Sequence, residues 1–133
     1  MDAAPLRIMI VDDSVDSARM LRVLLKAEGH QVRIEFDGQA ALACAAHFLP
    51  QVALLDLTLP GMSGIEVATE MRRVPELAGC RLVSVSGHGK DSLPSPSPFT
   101  QHFQKPIDQE SLLAYLESIP SGREPLFEET DAA

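Results

Sequence analysis

Aromatic side chains are nearly missing from this chain: there is no Trp, one Tyr and five Phe. Its interior must therefore be aliphatic, and stacking platforms for single-stranded nucleic acid have little to be built from. Positive charge is also short, with eleven Lys and Arg against nineteen Asp and Glu and a net charge of −8. Nothing in that balance would neutralise a phosphate backbone, so no nucleic-acid partner is expected. Two cysteines, Cys44 and Cys80, stand in neither a CxxC nor a metal-type spacing. A disulfide framework and a zinc site drop out, and both are read as reduced, part-buried thiols. Long apolar runs are lacking too. The run at Leu6 to Val11 is too short to cross a membrane, follows no basic region and is met at once by acids, which excludes a signal peptide. A cytoplasmic protein without membrane contact is expected.

What is present is a regular alternation. Short apolar runs, LRIMIV (Leu6 to Val11), VALLDL (Val52 to Leu57) and RLVSVS (Arg81 to Ser86), read as buried strands. QVRIEF (Gln31 to Phe36) alternates as a strand nearer an edge would, and HFQ (His102 to Gln104) is a short fifth strand. Between them lie amphipathic stretches. Ala18, Leu21, Leu24, Leu25 and Ala27 form one helical stripe before Gly29; Ala41, Cys44, Ala45 and Phe48 form a second behind the capping Asp37 and ahead of Pro50. Ile65 to Arg73 is a third, and a last helix after Pro106 and Asp108 turns Leu112, Leu113, Leu116 and Ile119 inward. Strands buried on both faces and alternating with helices imply a parallel sheet covered on both sides, with right-handed crossovers. One domain over 1–120 is expected, then an acidic, disordered tail over 121–133 that carries −3 of the charge.

In such folds ligands sit at the carboxyl ends of the strands. Those ends carry Asp12-Asp13, Asp56, Ser86 and Lys105. Carboxylates crowded together repel one another unless a cation neutralises them, and a hard ion with oxygen ligands, Mg²⁺ (or Mn²⁺), suits a site with few carboxylates. Lys105 adds a fixed positive charge. A metal, an ammonium and the Ser86 hydroxyl can together hold the oxygens of a phosphoryl group, with Asp56 on its central buried strand as the nucleophile. Taken singly, Asp12-Asp13 could be a capping loop, Ser86-Gly87 a turn and Lys105-Pro106 a surface loop. Asp56 is harder to dismiss, because a lone carboxylate beside buried strand residues is costly. All four at successive strand ends form a specific joint pattern.

IMIVDDS, VALLDLTLPGMSGIEVA, LVSVSGHG and HFQKPID resemble the receiver domain of bacterial two-component response regulators over residues 6 to about 118. DDSVDSARML and QHFQKPID look most like receivers attached to hybrid histidine kinases. The resemblance implies a flavodoxin-like, doubly wound five-stranded parallel sheet of order 2-1-3-4-5. It implies phosphorylation of Asp56 by a histidine kinase or histidine phosphotransfer protein, without enzymatic turnover of its own. Asp13, Asp56 and the Thr58 backbone carbonyl would bind Mg²⁺ directly, and Asp12 through a water. Ser86 and Lys105 would bind phosphoryl oxygens, His102 would occupy the position of the switching ring, and Thr58 and His88 would tune loss of the phosphoryl group.

The chain departs from the family at KDSLPSPSPFT, where three prolines stand in place of a fourth helix. That helix is expected to be short, irregular or absent, and a monomer or weak dimer follows. Two other functions compete. A receiver fold used only for binding would keep the pocket but lose the switch. An aspartate-based phosphatase of the haloacid dehalogenase type would need a DxD run after its first strand, which Asp12-Asp13-Ser14 does not supply.

Overall fold

The computed structural model describes residues 5–89 and 93–120. Five parallel strands, β1 (Arg7–Val11), β2 (Gln31–Glu35), β3 (Val52–Asp56), β4 (Arg81–Ser86) and β5 (Gln101–Gln104), form one sheet in the order β2-β1-β3-β4-β5. The order reverses between β1 and β3, and a crevice opens at the strand ends there. Register brings the polar ends to one rim: Val11 pairs with Leu55, Asp56 with Val85 and Ser86 with Gln104.

The helices are α1 (Val15–Ala27), α2 (Gly38–Phe48), α3 (Gly64–Arg72) and α4 (Gln109–Glu117), with a 3₁₀ turn at Pro75–Leu77. Each α-helix starts where a short polar side chain accepts an otherwise orphaned N–H: Ser14 from Ser17, Asp37 from Ala40, Ser63 from Glu66 and Asp108 from Ser111. At α3 the Glu66 carboxylate also returns to the Ser63 N–H at 2.9 Å, completing a capping box. α2 stops at Leu49, whose left-handed backbone (φ 51°) turns the chain into Pro50.

Strand periodicity divides the core in two. Met9, Val11, Leu55 and Leu82 face α2 and α3 (Ala41, Ala45, Val67, Met71), while Ile8, Ile10, Leu54 and Val83 face α1 and α4 (Ala18, Leu25, Leu112, Leu116). The covered parallel sheet expected from the apolar runs is therefore present, with β2 as an edge. Small differences remain. Leu6, Phe36 and Leu57 fall just outside their strands, and β5 starts one residue earlier, at Gln101. Ala27, placed on the inward stripe of α1, is exposed, because two residues carry it about 200° around the helix from the buried Leu25.

Among the described residues between β4 and β5 there is no helix. Prolines 94, 96 and 98 lack the N–H that a helix interior needs. The segment is held instead at three points. Phe99 packs against the α2/α3 core, Arg72 donates to the carbonyls of Pro98 (3.2 Å) and Cys80 (2.7 Å), and Thr100 donates its N–H to Leu82 at 2.8 Å. Lys90 to Ser92 and the tail over 121–133 lie outside the described residues.

Candidate functional site

Asp12 and Asp56 end adjacent strands and are treated alike by the backbone. Asp12 Oδ1 accepts the Ser14 N–H at 2.9 Å, and Asp56 Oδ1 accepts the Thr58 N–H at 3.0 Å. These turns two residues on fix both carboxylates and leave each Oδ2 free to point into the crevice. Lys105, directly after β5, meets both: its ammonium lies 2.8 Å from Asp56 Oδ2 and 3.5 Å from Asp12 Oδ2. Asp13, exposed, completes a trio in which one carboxylate oxygen from each residue lies within 4.8 Å of the others. Oxygen-only donors at that spacing fit a hard divalent cation such as Mg²⁺.

The charges act on one another. Burial pushes Asp12 above the usual carboxylate range and the Asp56 charge adds to this, while the Ser14 N–H and Lys105 pull it partly back. Burial alone would lower Lys105, but its hydrogen bond to Asp56 and the charges of Asp12 and Asp56 outweigh that and raise it.

Gly64 explains how the backbone after β3 can fold so closely over the site. A Cβ there would collide with the Asp56 carbonyl oxygen and come within 2.9 Å of the Leu57 Cα. The Gly64 N–H donates to the Leu57 carbonyl at 3.1 Å, so the loop carrying Thr58 is drawn back onto the strand end.

Ser86 lies on the same rim, with its hydroxyl turned onto the following loop: it donates to the His88 carbonyl at 2.8 Å and accepts the His88 N–H at 3.2 Å. His102 Nε2 reaches that same carbonyl at 2.9 Å, and its Nδ1 lies 2.7 Å from the Ser84 hydroxyl. Gln104 Nε2 donates to the Gly87 carbonyl at 3.3 Å and the Lys105 N–H to the Ser86 carbonyl at 2.7 Å. Three successive carbonyls at and after the end of β4 are thus gripped by β5 and the residue that follows it. The fold therefore gathers Asp12, Asp13, Asp56 and Lys105 directly, and Ser86, His88 and His102 in an adjoining network. Thr58 is exposed and touches Asp56 through its backbone N–H. Ser84 and Gln104 escaped the sequence reading. The usable signal for Ser84 was a hydroxyl inside an apolar run, which must find a partner when buried.

A cleft of about 460 Å³ adjoins the carboxylates, lined by Asp12, Ser17, Met20, Leu21, Lys105 and Pro106 among others. Above it α1 exposes apolar side chains, Met20 at 70% and Val23 at 69%. Among the described residues, no helix is long and apolar enough to cross a membrane.

Comparison with known proteins agrees with this geometry. Residues 8–117 match the family model of the response regulator receiver domain. The response regulator PleD of Caulobacter vibrioides is 34% identical over 116 residues, spanning 85% of this chain and 26% of its own length. The DNA-binding response regulator MtrA of Mycobacterium bovis is 42% identical over 72 residues, or 54% of this chain and 32% of that protein. The chain thus spans roughly a quarter to a third of these relatives. Among solved structures, a CheY-like receiver domain from Methylobacillus flagellatus superposes with a TM-score of 0.80 at 29% identity, covering 88% of this chain and all of that one. The magnesium-bound receiver domain of sensor histidine kinase PA1611 from Pseudomonas aeruginosa shares the fold, with a TM-score of 0.77 at 20% identity and coverage of 86% and 96%. The order of the strands, the acid-and-lysine rim and these matches agree: the chain belongs to the response regulator receiver domain family.

Proposed function

We propose that Asp56 is the phosphoacceptor of this receiver. The observation that carries the reading is the position of its carboxylate, with oxygens of Asp12 and Asp13 within 4.8 Å and the Lys105 ammonium at 2.8 Å. An Asp56 oxygen attacks phosphorus of a phosphohistidine, the phosphorus–nitrogen bond breaks, and the imidazole leaves with the bond pair and is protonated. The product is an acyl phosphate. Lys105 moves its hydrogen bond from the carboxylate to a phosphoryl oxygen, and the Ser86 hydroxyl rotates to donate to another. Asp12, Asp13, Asp56 and the Thr58 carbonyl would hold Mg²⁺ (or Mn²⁺), which supplies charge neutralisation for the incoming phosphoryl oxygens.

The donor is a histidine kinase or a histidine phosphotransfer protein, the latter fitting the likeness to hybrid-kinase receivers. Met20, which lines the cleft, and Val15 and Val23, exposed on the same helix, suit an apolar helical partner that must bring a histidine to Asp56. Such donors place the reaction in the cytoplasm. His102 reports the change at Ser86 to the outer surface of β5, and Thr58 and His88, both exposed, line the approach of water. With no carboxylate or carboxamide at either position, the phosphoryl group is expected to outlast the first seconds after transfer.

The test is incubation with acetyl phosphate and Mg²⁺, followed by intact-mass measurement. A gain of one phosphoryl group in the native chain and none in Asp56→Asn supports the reading. A native chain that stays unlabelled with every phosphodonor would leave a receiver fold used only for binding.

A further inference from the structure

Ser84 is wholly buried, stands outside the acidic pocket and takes no part in the transfer described above. Its register partner across the β4–β5 ladder is His102. Both side chains share the parity of Leu82, and so lie on the α2/α3 face, as does Ser86. We propose that Ser84 is a positioning residue for the Ser86 hydroxyl, acting through His102. This deepens the phosphoacceptor reading and rests on it.

The His88 backbone carbonyl can only accept, so His102 Nε2, 2.9 Å away, must carry a proton. In the neutral imidazole the other nitrogen is then an acceptor, and the Ser84 hydroxyl, 2.7 Å from Nδ1, is the donor that it needs. The acceptor-only His88 carbonyl thus sets the tautomer, and Ser84, donating to Nδ1, holds the ring with its Nε2–H aimed at that carbonyl. That carbonyl already receives the Ser86 hydroxyl at 2.8 Å, one donor for each lone pair. When the Ser86 hydroxyl leaves for a phosphoryl oxygen, the His102 bond keeps the carbonyl satisfied. Without it, departure of Ser86 strips the carbonyl of its last side-chain donor among the described residues. The Ser84–His102 pair thus makes the move of Ser86 cheaper.

The Gln101 carbonyl lies 3.4 Å from the Ser84 hydroxyl, too long to compete with Nδ1 at 2.7 Å for its single proton, and the Gln101 side-chain oxygen accepts the His102 N–H at 2.9 Å. The ring has both nitrogens engaged, and its plane is fixed between strand and loop.

The test is a double-mutant cycle on Ser84→Ala and His102→Phe, reading the rate at which Asp56 gains a phosphoryl group from acetyl phosphate with Mg²⁺. Each single variant is expected to slow uptake by roughly fivefold, the worth of one neutral hydrogen bond. The double variant should be no slower than His102→Phe, because Ser84 acts only through the ring. Wild-type uptake in Ser84→Ala, or two effects that multiply, would overturn the proposal. Nitrogen NMR of the unmodified native protein supplies a second reading that needs neither variant nor phosphorylation. It should find His102 protonated on Nε2, and a proton on Nδ1 alone would equally sink the idea. Native protein that shows this tautomer but never takes label would support the relay and defeat the phosphoacceptor reading instead.

Discussion

The Lys105 ammonium stands 2.8 Å from Asp56 Oδ2, a contact made across 49 positions of sequence and held between the ends of two strands. Its side chain is 35% exposed, so solvent screens the attraction, yet it is the only cation bonded to the buried Asp12 and Asp56 carboxylates among the described residues. Replacing it with Met leaves those acids facing each other. Lys105→Met should slow phosphoryl uptake by roughly ten- to a hundredfold, the worth of a charge-assisted hydrogen bond. The same variant should gain more thermal stability from added Mg²⁺ than the native chain does. Mass-resolved uptake rates and melts with and without the ion check both.

Asp13 is the exposed member of the trio, which makes it the cleanest probe of the cation. Asp13→Asn should lose most of the rise in melting temperature that Mg²⁺ gives the native chain. Without the ion it should be as stable as the native chain or more so, because one repelling charge is gone. A variant that still responds fully to Mg²⁺ would show that the trio does not hold the ion.

Asp12 titrates above its ordinary value in the folded chain, first because it is buried. The folded state then binds protons more readily than the unfolded state. The stability this contributes is complete below the unfolded value of 3.8 and is lost as pH rises through the folded value. Comparing metal-free native protein with Asp12→Asn should isolate that term as a difference that widens with rising pH, and Mg²⁺ should suppress it.

His30 works in the opposite direction. It is buried and its Nδ1 accepts the Leu6 N–H at 3.0 Å, which requires an unprotonated nitrogen. Burial lowers its pKa below 6.5, the Glu28 charge offsetting part of this. Stability from this bond is therefore present above pH 6.5 and is lost as pH falls through the lower folded value. Urea titrations of the native chain and of His30→Gln should converge as acidity increases.

Gly64→Ala would press a methyl group against the Asp56 carbonyl oxygen and the Leu57 Cα. A loss of about 1–3 kcal/mol in urea unfolding is expected, with Asp56 displaced and uptake slowed. An alanine that leaves both unchanged would show that the loop after β3 can give way without disturbing the site.

Much of this molecule was legible in local pattern. The apolar runs at Val52 to Leu55 and, interrupted by Ser84, at Leu82 to Val85 read as covered strands, and Asp37 and Asp108 marked helix starts because each can accept an orphaned N–H. Pro94, Pro96 and Pro98 showed that a helix was missing, but not what would replace it. The answer, a strap pinned by Phe99 and by Arg72 from the end of α3, depends on a contact 26 residues apart. Ser84 was passed over for a similar reason: its partner lies on another strand, and nothing nearby in sequence announces it.

Periodicity and capping are properties of neighbouring residues, so the alternation of strands and helices and the kinds of polar residue that follow each strand are written in the chain locally. That Asp12 and Asp56 both present Oδ2 to Lys105, and that Ser86 and His102 share the His88 carbonyl, emerges on folding alone. Those relations depend on the register between distant strands, and register is set by the packing of the whole sheet.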